Sequence, residues 1–204
     1  AGSDFIEIGV PFSDPLADGP VIQQAAVRAL QNGCTFDKLL PVIQRVTKNH
    51  DTPLIFMIYY NMILQRGVRR FIEEIVNCGC SGLIIPDLPP DEAGEMIEAA
   101  ASSQVGLCFL VAPTSSKERI SLAANASTGF LYAVSLKGVT GIRAALPPEL
   151  PEFINRIKSI TSGPMAVGFG ISTPEQAKEV ARLADGVIVG SAIVKAMAAD
   201  PSLN

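Results

Sequence analysis

Short, continuously apolar segments rich in branched residues recur along the chain and predict β-strands. They span residues 4–10, 54–59, 82–86, 106–111, 129–134, 164–168 and 186–189. Each segment is apolar at both alternating sets of positions, which is typical of strands covered on both faces in a parallel sheet. Parallel neighbours need a crossover connection, usually a helix. The pattern therefore predicts an α/β protein.

Amphipathic segments between the strands supply the crossover helices. They span residues 20–31, 36–48, 68–77, 91–102, 116–125, 148–159 and 174–183. Gly33 and Gly79 follow the first and third of these segments, as expected of residues that end helices. Two S-x-x-E sequences, beginning at Ser115 and Ser172, match capping boxes at helix starts.

The repeat length distinguishes two architectures. Six repeats of about 30 residues separate the first and last strands, which is the size of a βα unit. Eight such units need roughly 240 residues, so this chain of 204 residues is about one unit short of a (β/α)₈ TIM barrel. An open doubly wound sheet is the alternative, but its phosphate loop usually follows the first strand. Here the glycine-rich turns follow the last two, so we expect one barrel domain over residues 1–204.

Composition narrows the class of ligand. The chain is 48% hydrophobic and 18% charged, with a net charge of −4 and no basic block, which argues against nucleic acid as a partner. Its longest apolar stretch is shorter than the roughly 20 residues of a membrane helix.

Four cysteines and a single histidine, without a C-x-x-C pair, predict reduced structural thiols and no metal site. The missing initiator Met and signal sequence suggest a chain that begins within a longer product.

Two acidic residues near the first strand are candidates for acid/base chemistry. Period-two alternation places Glu7 on the barrel side, where burial favours the protonated form that a general acid needs. A structural ion pair with a basic residue from a neighbouring strand is the alternative for Glu7. Asp18, in the proline-rich loop after the strand, could face the same pocket as a second carboxylate in a wetter environment. It could equally be an ordinary turn former, which is how we interpret Asp14.

Glycine turns after the last two strands predict a phosphate site. Gly170 and Gly190 allow close approach of the main chain to an anion, and Ser191 can donate its hydroxyl group and begin a helix. A loop at residues 135–147 has the composition of a mobile lid or of a plain surface loop. Lys137 in this loop allows a second enzymatic hypothesis, a Schiff-base aldolase.

Ordered motifs along nearly the whole chain resemble the tryptophan synthase alpha subunit and its relatives, the indole-3-glycerol-phosphate lyases. The most specific is E-I-G-V-P-F-S-D-P-L-A-D-G-P at residues 7–20. Others are Y-Y-N at 59–61, I-I-P-D-L-P at 84–89, V-A-P-T at 111–114, G-V-T-G at 138–141, V-G-F-G-I-S at 167–172 and V-G-S-A-I-V at 189–194.

The resemblance implies a lyase of tryptophan biosynthesis that needs no cofactor. It would cleave indole-3-glycerol phosphate into indole and glyceraldehyde 3-phosphate by a retro-aldol reaction. Glu7 would be the general acid/base, and Asp18 would stabilise the charge developing at the indole nitrogen and remove its proton. The resemblance places the indole against Tyr59, Ile84, Leu110, Tyr132 and Phe169, the phosphate against Gly141, Gly170, Gly190 and Ser191, and Thr140 beside Asp18 on closure.

The family's usual partner is a pyridoxal-phosphate beta subunit that consumes the indole, in the cytoplasm or in a plastid stroma. The resemblance also implies that the family's first strand and helix would precede Ala1 and that its closing helix would follow Asn204. A chain without these elements could be a non-catalytic allosteric or scaffolding subunit, which is the remaining alternative.

Overall fold

The computed structural model describes residues 2–134, 146–168 and 170–200. Eight strands lie in this part of the chain: β1 (Ile6–Gly9), β2 (Leu54–Met57), β3 (Gly82–Ile84), β4 (Gly106–Cys108), β5 (Leu110–Val111), β6 (Leu131–Val134), β7 (Met165–Gly168) and β8 (Gly186–Val187). The helices are α1 (Pro20–Gln31), α2 (Phe36–Asn49), α3 (Tyr60–Arg66), α4 (Val68–Asn77), α5 (Gly94–Ser102), α6 (Lys117–Ala126), α7 (Leu150–Lys158), α8 (Pro174–Val180) and α9 (Ser191–Ala199), with a short 3₁₀ helix at Pro90–Glu92.

The chain forms two compact units. The first comprises Ala1–Leu16, Ala26–Phe109 and Ala126–Gly129, and the second comprises Ala17–Ala25, Leu110–Asn125 and Phe130–Asn204. Each unit contains one four-stranded parallel sheet, with the strand order β1-β2-β3-β4 in the first and β5-β6-β7-β8 in the second. Consecutive strands are therefore neighbours in each sheet, as βα repeats require.

The two faces of the first sheet differ. Phe56 of β2 lies on one face, with its ring centroid 5.7 Å from that of Phe36 in α2, and the Phe36 ring also packs against Phe71 of α4. All three aromatic side chains are buried. Aromatic rings bury large apolar areas, so this cluster is a substantial part of the contact between the helices and the sheet. The opposite face carries the side chains that alternate with Phe56.

Two predicted helices have the expected bounds and ends. The helix pattern over residues 20–31 forms α1, and that over residues 68–77 forms α4. Gly79 follows α4 with a φ of +81° and donates its N–H to Val76, while Cys80 donates to Ile75. This left-handed geometry, which glycine adopts readily, satisfies the carbonyl groups at the helix end.

The predicted strand over residues 106–111 is two strands, β4 and β5, separated at Phe109. The Phe109 N–H donates to Oγ of Ser127 at 3.1 Å, and the Leu107 N–H donates to Oγ1 of Thr128 at 2.9 Å. Side chains that follow α6 therefore replace ladder partners at this point. A continuous apolar run cannot reveal such a break, because the competing acceptors come from elsewhere in the chain.

At both predicted capping boxes the N-cap lies one residue later than predicted, and a complete box forms only at α8. Thr173, and not Ser172, is the N-cap of α8, and it is followed by Pro174 at the first helical position. At the start of α6, Oγ of Ser116 accepts from the N–H of Arg119 at 3.2 Å, so the capping interaction begins at Ser116 rather than Ser115. Pro favours the first helical position, which is consistent with the observed register of α8.

No helix in the described ranges is long and apolar enough to cross a lipid bilayer.

Candidate active site

The predicted site residues fall in both units. Glu7, Tyr59 and Ile84 belong to the first unit, and Asp18, Leu110, Tyr132, Gly170, Gly190 and Ser191 belong to the second. Lys137, Thr140, Gly141 and Phe169 lie outside the described residues, as does most of the loop at 135–147.

Glu7 lies in the middle of β1, on the sheet face turned away from the aromatic cluster. Its register partner in β2 is Ile55, which alternates with Phe56, so the Glu7 side chain points to the face opposite α2. Residue 7 is half-buried, and its Oε2 atom is buried. The carboxyl group therefore lies on the side away from the helix layer, with one of its oxygens shielded from water, as expected of a catalytic carboxyl group within a pocket.

Small and apolar residues continue the row that begins at Glu7 on this face of the sheet. The register places Ile55 beside it, followed by Gly82 of β3 and Gly106 of β4. A Cβ atom at Gly82 would lie 3.0 Å from the Gly106 carbonyl oxygen, so a side chain there would require the main chain to shift by a few tenths of an ångström. Ile84, a predicted indole contact, is fully buried two residues further along β3 on this face. The face therefore offers an apolar surface at the carboxyl ends of the strands.

Tyr59 follows β2 and is 4% exposed. Its ring centroid lies 5.2 Å from that of Phe12, which follows β1, so two aromatic rings pack together beyond the carboxyl ends of neighbouring strands. Flat aromatic ligands bind well against such surfaces, because offset and tilted ring pairs are favourable.

Asp87 is a residue of this region that the sequence analysis did not single out. Its Oδ1 accepts from the N–H of Tyr60 at 2.8 Å, at the start of α3, and so holds the loop after β3 against the loop after β2. Helix α3, which begins directly after Tyr59, was not among the predicted helices either. Burial, aided by the nearby Glu95 carboxylate, raises the pKa of the Tyr60 phenol. A polar residue directly after a buried strand was the available signal for Asp87.

Asp18 lies in the loop between β1 and α1 and is half-buried. Its main-chain oxygen accepts from Nε2 of Gln23 at 2.9 Å, and the neighbouring Gly19 oxygen accepts from the Gln23 N–H at 3.0 Å. The side-chain amide and the main-chain N–H of Gln23 therefore both connect this loop to the first turn of α1. These contacts fix the main chain at Asp18 relative to α1.

In the second unit, Leu110 and Tyr132 are register partners and share one face of the sheet. Tyr132 is 3% exposed, and its ring reaches along the sheet to Gly168, at the carboxyl end of β7. A Cβ atom at Gly168 would lie 2.8 Å from Cε1 and Cζ of the Tyr132 ring. The absence of a side chain at Gly168 is therefore what admits the tyrosine ring.

The turn after β7 contains Gly170, with a φ of +80° that favours glycine. The turn is braced by Gln176, which the sequence analysis did not identify. Its Oε1 accepts from the Ser172 N–H at 2.8 Å, the Ser172 hydroxyl at 3.0 Å and the Thr173 N–H at 3.2 Å. The Thr173-x-x-Gln176 spacing, with Pro174 at the first helical position, was the sequence signal that indicates Gln176 as a capping residue.

The turn after β8 leads into α9. Gly190 is the N-cap of α9, and a Cβ atom there would meet no described atom within 4 Å. Ser191 is the first residue of the helix and is half-buried. Free main-chain N–H groups at the start of a helix carry partial positive charge and attract anions. Open space in front of α9 is compatible with a ligand at this helix start.

Among the described residues, no group of three or more His, Cys, Asp or Glu side chains is placed to hold a metal ion. No disulfide bond links the four cysteines, all of which are described, and Cys78, Cys80 and Cys108 are buried.

Parallel βα units with ionisable groups and glycine turns after the strands are typical of the (β/α)₈ barrel enzymes. A family model described as "Tryptophan synthase alpha chain" matches residues 1–203. The chain belongs to the tryptophan synthase alpha chain family.

Individual relatives agree with this assignment. The chain is 50% identical to a tryptophan synthase alpha chain of Dehalococcoides mccartyi over 202 residues, covering 99% of this chain and 79% of that protein. A Picosynechococcus alpha chain is 49% identical over 199 residues, covering 97% and 75%.

Solved structures give the same result. Tryptophan synthase of Mycobacterium tuberculosis is similar with a TM-score of 0.91 and 40% identity, covering 99% of this chain and 77% of that chain. A structure of the a2b2 complex from Pyrococcus furiosus has a TM-score of 0.90 and 38% identity, covering 98% and 81%. The predicted family, its (β/α)₈ fold class and its lyase class are therefore confirmed, while the single-domain prediction stays a prediction.

Proposed function

We propose that the chain cleaves indole-3-glycerol phosphate to indole and glyceraldehyde 3-phosphate. Family membership supports the reaction, and the observation that carries its chemistry is the position of Glu7. This side chain lies on the sheet face turned away from the helices, with Oε2 buried. General acids and bases work best in such water-poor surroundings, where proton transfer to the substrate is not diverted to solvent.

In the proposed reaction, Glu7 donates a proton to the indole ring carbon that bears the glycerol chain. This protonation places a positive charge on the ring nitrogen, which the Asp18 carboxylate stabilises. Asp18 accepts the proton of the nitrogen as the charge develops and returns it when indole is formed. The hydroxyl group on the adjacent carbon then loses its proton to the Glu7 carboxylate. The carbon–carbon bond breaks, its electron pair returns to the ring, and an aldehyde is left on the phosphorylated fragment.

The remaining predicted residues would bind the two ends of the substrate. Tyr59, Ile84, Leu110 and Tyr132 are buried or half-buried and apolar over most of their surface, which suits a flat indole ring. Gly170 and Gly190 lie in turns that follow strands β7 and β8, and Ser191 begins α9, which suits a phosphate group. Phe169, Gly141 and Thr140 keep their expected roles as predictions from the family resemblance.

Replacement of one carboxyl group tests this proposal. Glu7→Gln should lower the rate of indole release by at least about 100-fold, which is the low end of general acid–base contributions, and leave binding of glycerol 3-phosphate within about twofold. Asp14→Asn is the matched control, since Asp14 is an exposed carboxylate of the loop after β1 and should be dispensable. Release of indole by Glu7→Gln at the parent rate would refute the assignment of Glu7.

The family relationship supports a partner as well. The Pyrococcus furiosus structure is described as a study of mutual activation in an a2b2 tryptophan synthase complex. We propose that this chain likewise binds a pyridoxal-phosphate beta chain, in the cytoplasm, and passes indole to it. Purified beta chain should co-elute with this chain in size-exclusion chromatography and raise its rate of indole release. Separate elution with an unchanged rate would contradict the assembly.

A further inference from the structure

Gln176 is a polar side chain with 5% of its surface exposed, placed at the third residue of α8. Buried polar groups are retained at low energetic cost only when their hydrogen bonds are made, so its contacts indicate what it does. The contacts of its Oε1 atom are made with the turn that joins β7 to α8.

One atom makes most of these contacts. Oε1 of Gln176 accepts from the main-chain N–H groups of Ser172 and Thr173, at 2.8 and 3.2 Å, and from the Ser172 hydroxyl at 3.0 Å. Three donors on two consecutive residues therefore converge on one oxygen. This restrains both peptide planes of the turn, because neither can rotate without breaking a partly buried hydrogen bond.

The braced segment begins two residues after Gly170. Gly170 has a left-handed φ of +80°, and Ile171 between it and Ser172 is 4% exposed, so its side chain anchors the turn in the core. On its C-terminal side, Gly170 is therefore followed by a buried residue and then by the segment that Gln176 holds, which limits how the main chain leaves this glycine. Since the Ser172 and Thr173 N–H groups are engaged by Gln176, they are not the donors that a ligand would use.

We propose that Gln176 is a positioning residue for the phosphate group of the substrate. It orients the Gly170 turn so that its main chain meets the phosphate, and it makes no contact with the ligand itself. This inference rests on the proposed function, in which Gly170 lies against the phosphate. Displacements of about 1 Å in a binding group can lower rates by about 100-fold, so a brace of this kind affects substrate binding measurably.

The same capping box offers a matched control. Oγ1 of Thr173 accepts from the Gln176 N–H at 3.2 Å, which caps α8 without touching the Ser172 peptide. Thr173→Ala removes this cap and keeps the Oε1 contacts. Gln176→Met keeps the length of the side chain and removes the acceptor, so it releases the turn.

The experiment compares the two variants with the parent in KM and kcat for indole-3-glycerol phosphate, in calorimetric binding of glycerol 3-phosphate, and in thermal unfolding. Gln176→Met should raise KM and weaken glycerol 3-phosphate binding at least tenfold, with kcat within about twofold. Thr173→Ala should lower the unfolding temperature while KM stays within about twofold. An unchanged KM in Gln176→Met, or an equal rise in both variants, would overturn the inference.

A measurement on the parent chain covers the case in which Gln176→Met does not fold. Amide hydrogen exchange, followed by NMR without ligand, should show Ser172 and Thr173 protected at least 100-fold. Exchange of these amides at unprotected rates would overturn the brace. If the parent chain neither binds glycerol 3-phosphate nor releases indole, the proposed function fails, whereas parent binding with unaltered binding in Gln176→Met removes only the role of Gln176.

Discussion

A methyl group added at Gly168 is expected to destabilise the second sheet, because the Tyr132 ring occupies the space beside this glycine. The new Cβ atom would lie 2.8 Å from Cε1 and Cζ of the ring and closer still to Oη. Carbon atoms in contact prefer about 3.5–4.0 Å, so the ring would have to move by roughly 0.7 Å or more. Gly168→Ala therefore tests whether the two residues are packed as a pair.

The packing around the pair sets the size of the effect. Tyr132 is 3% exposed, and Val167, the strand neighbour of Gly168, is fully buried. The strands are held by register pairs on both sides of β7, which leaves little room for relaxation. Overpacking of a core usually costs about 1–3 kcal/mol. We expect about 2 kcal/mol, which corresponds to about 4–8 °C in unfolding temperature for a chain of this size.

Urea unfolding followed by far-ultraviolet circular dichroism measures this loss, since the chain contains no tryptophan to report by fluorescence. Gly163→Ala is the control. Its Cβ atom would meet only Oγ1 of Thr161 at 3.4 Å, an ordinary contact, so alanine there should be neutral or stabilising by up to about 1 kcal/mol. The comparison separates the Tyr132 overlap from the general effect of replacing glycine.

A double-mutant cycle with Tyr132→Leu completes the test. Removal of the ring removes the overlap, so Gly168→Ala should cost at least about 1 kcal/mol less in the Tyr132→Leu background than in the parent. Equal losses in the two backgrounds, or a Gly168→Ala variant as stable as Gly163→Ala, would refute the packing argument.

Two further predictions concern ionisable groups of the first unit. The hydrogen bond from Arg66 lowers the pKa of Glu74 below its ordinary 4.5, so this carboxylate stabilises the fold above that pH and ceases to as the pH falls through its folded pKa. Urea unfolding should show that Glu74→Gln destabilises the fold more at pH 7 than at pH 3, while exposed Glu73→Gln is neutral at both. A loss that does not change with pH would contradict this. Burial raises the pKa of the Cys80 thiol to about 11, and Cys78 and Cys108 are buried as well. In the native chain, Ellman's reagent should therefore modify half-buried Cys34 quickly and the other three thiols only after unfolding. Fast reaction of more than one thiol in the native chain would contradict this prediction.

The elements that depend on local chemistry could be predicted from the sequence. The bounds of α1 and α4 follow from a helical pattern of apolar residues that ends at a glycine. Both the spacing of the apolar residues and the left-handed glycine conformation at the helix end depend on residues close together in the sequence. The strand segments follow from apolar runs, and the position of Glu7 within β1 follows from alternation along a single strand. The family follows from ordered motifs along the chain.

The features that only the tertiary structure decided depend on partners far away in the sequence. Phe109 separates β4 from β5 because Ser127, 18 residues later, accepts its N–H. The start of α3 is held by Asp87, 27 residues after Tyr60. A local pattern cannot specify such contacts, because the same apolar or polar residue is compatible with several hydrogen-bond partners until packing selects one.

The candidate site shows the same division. Its residue types could be chosen from sequence, because carboxyl groups and glycines after buried strands are typical of catalysis and phosphate binding. Two features of the site could not be predicted from sequence: the fit of the Tyr132 ring against Gly168 and the burial of Gln176 beneath the turn. Both depend on which side chains pack together in the folded chain. The amino-acid sequence thus determined the chemistry available to this protein, and the packing of strands and turns decided which groups hold that chemistry in place.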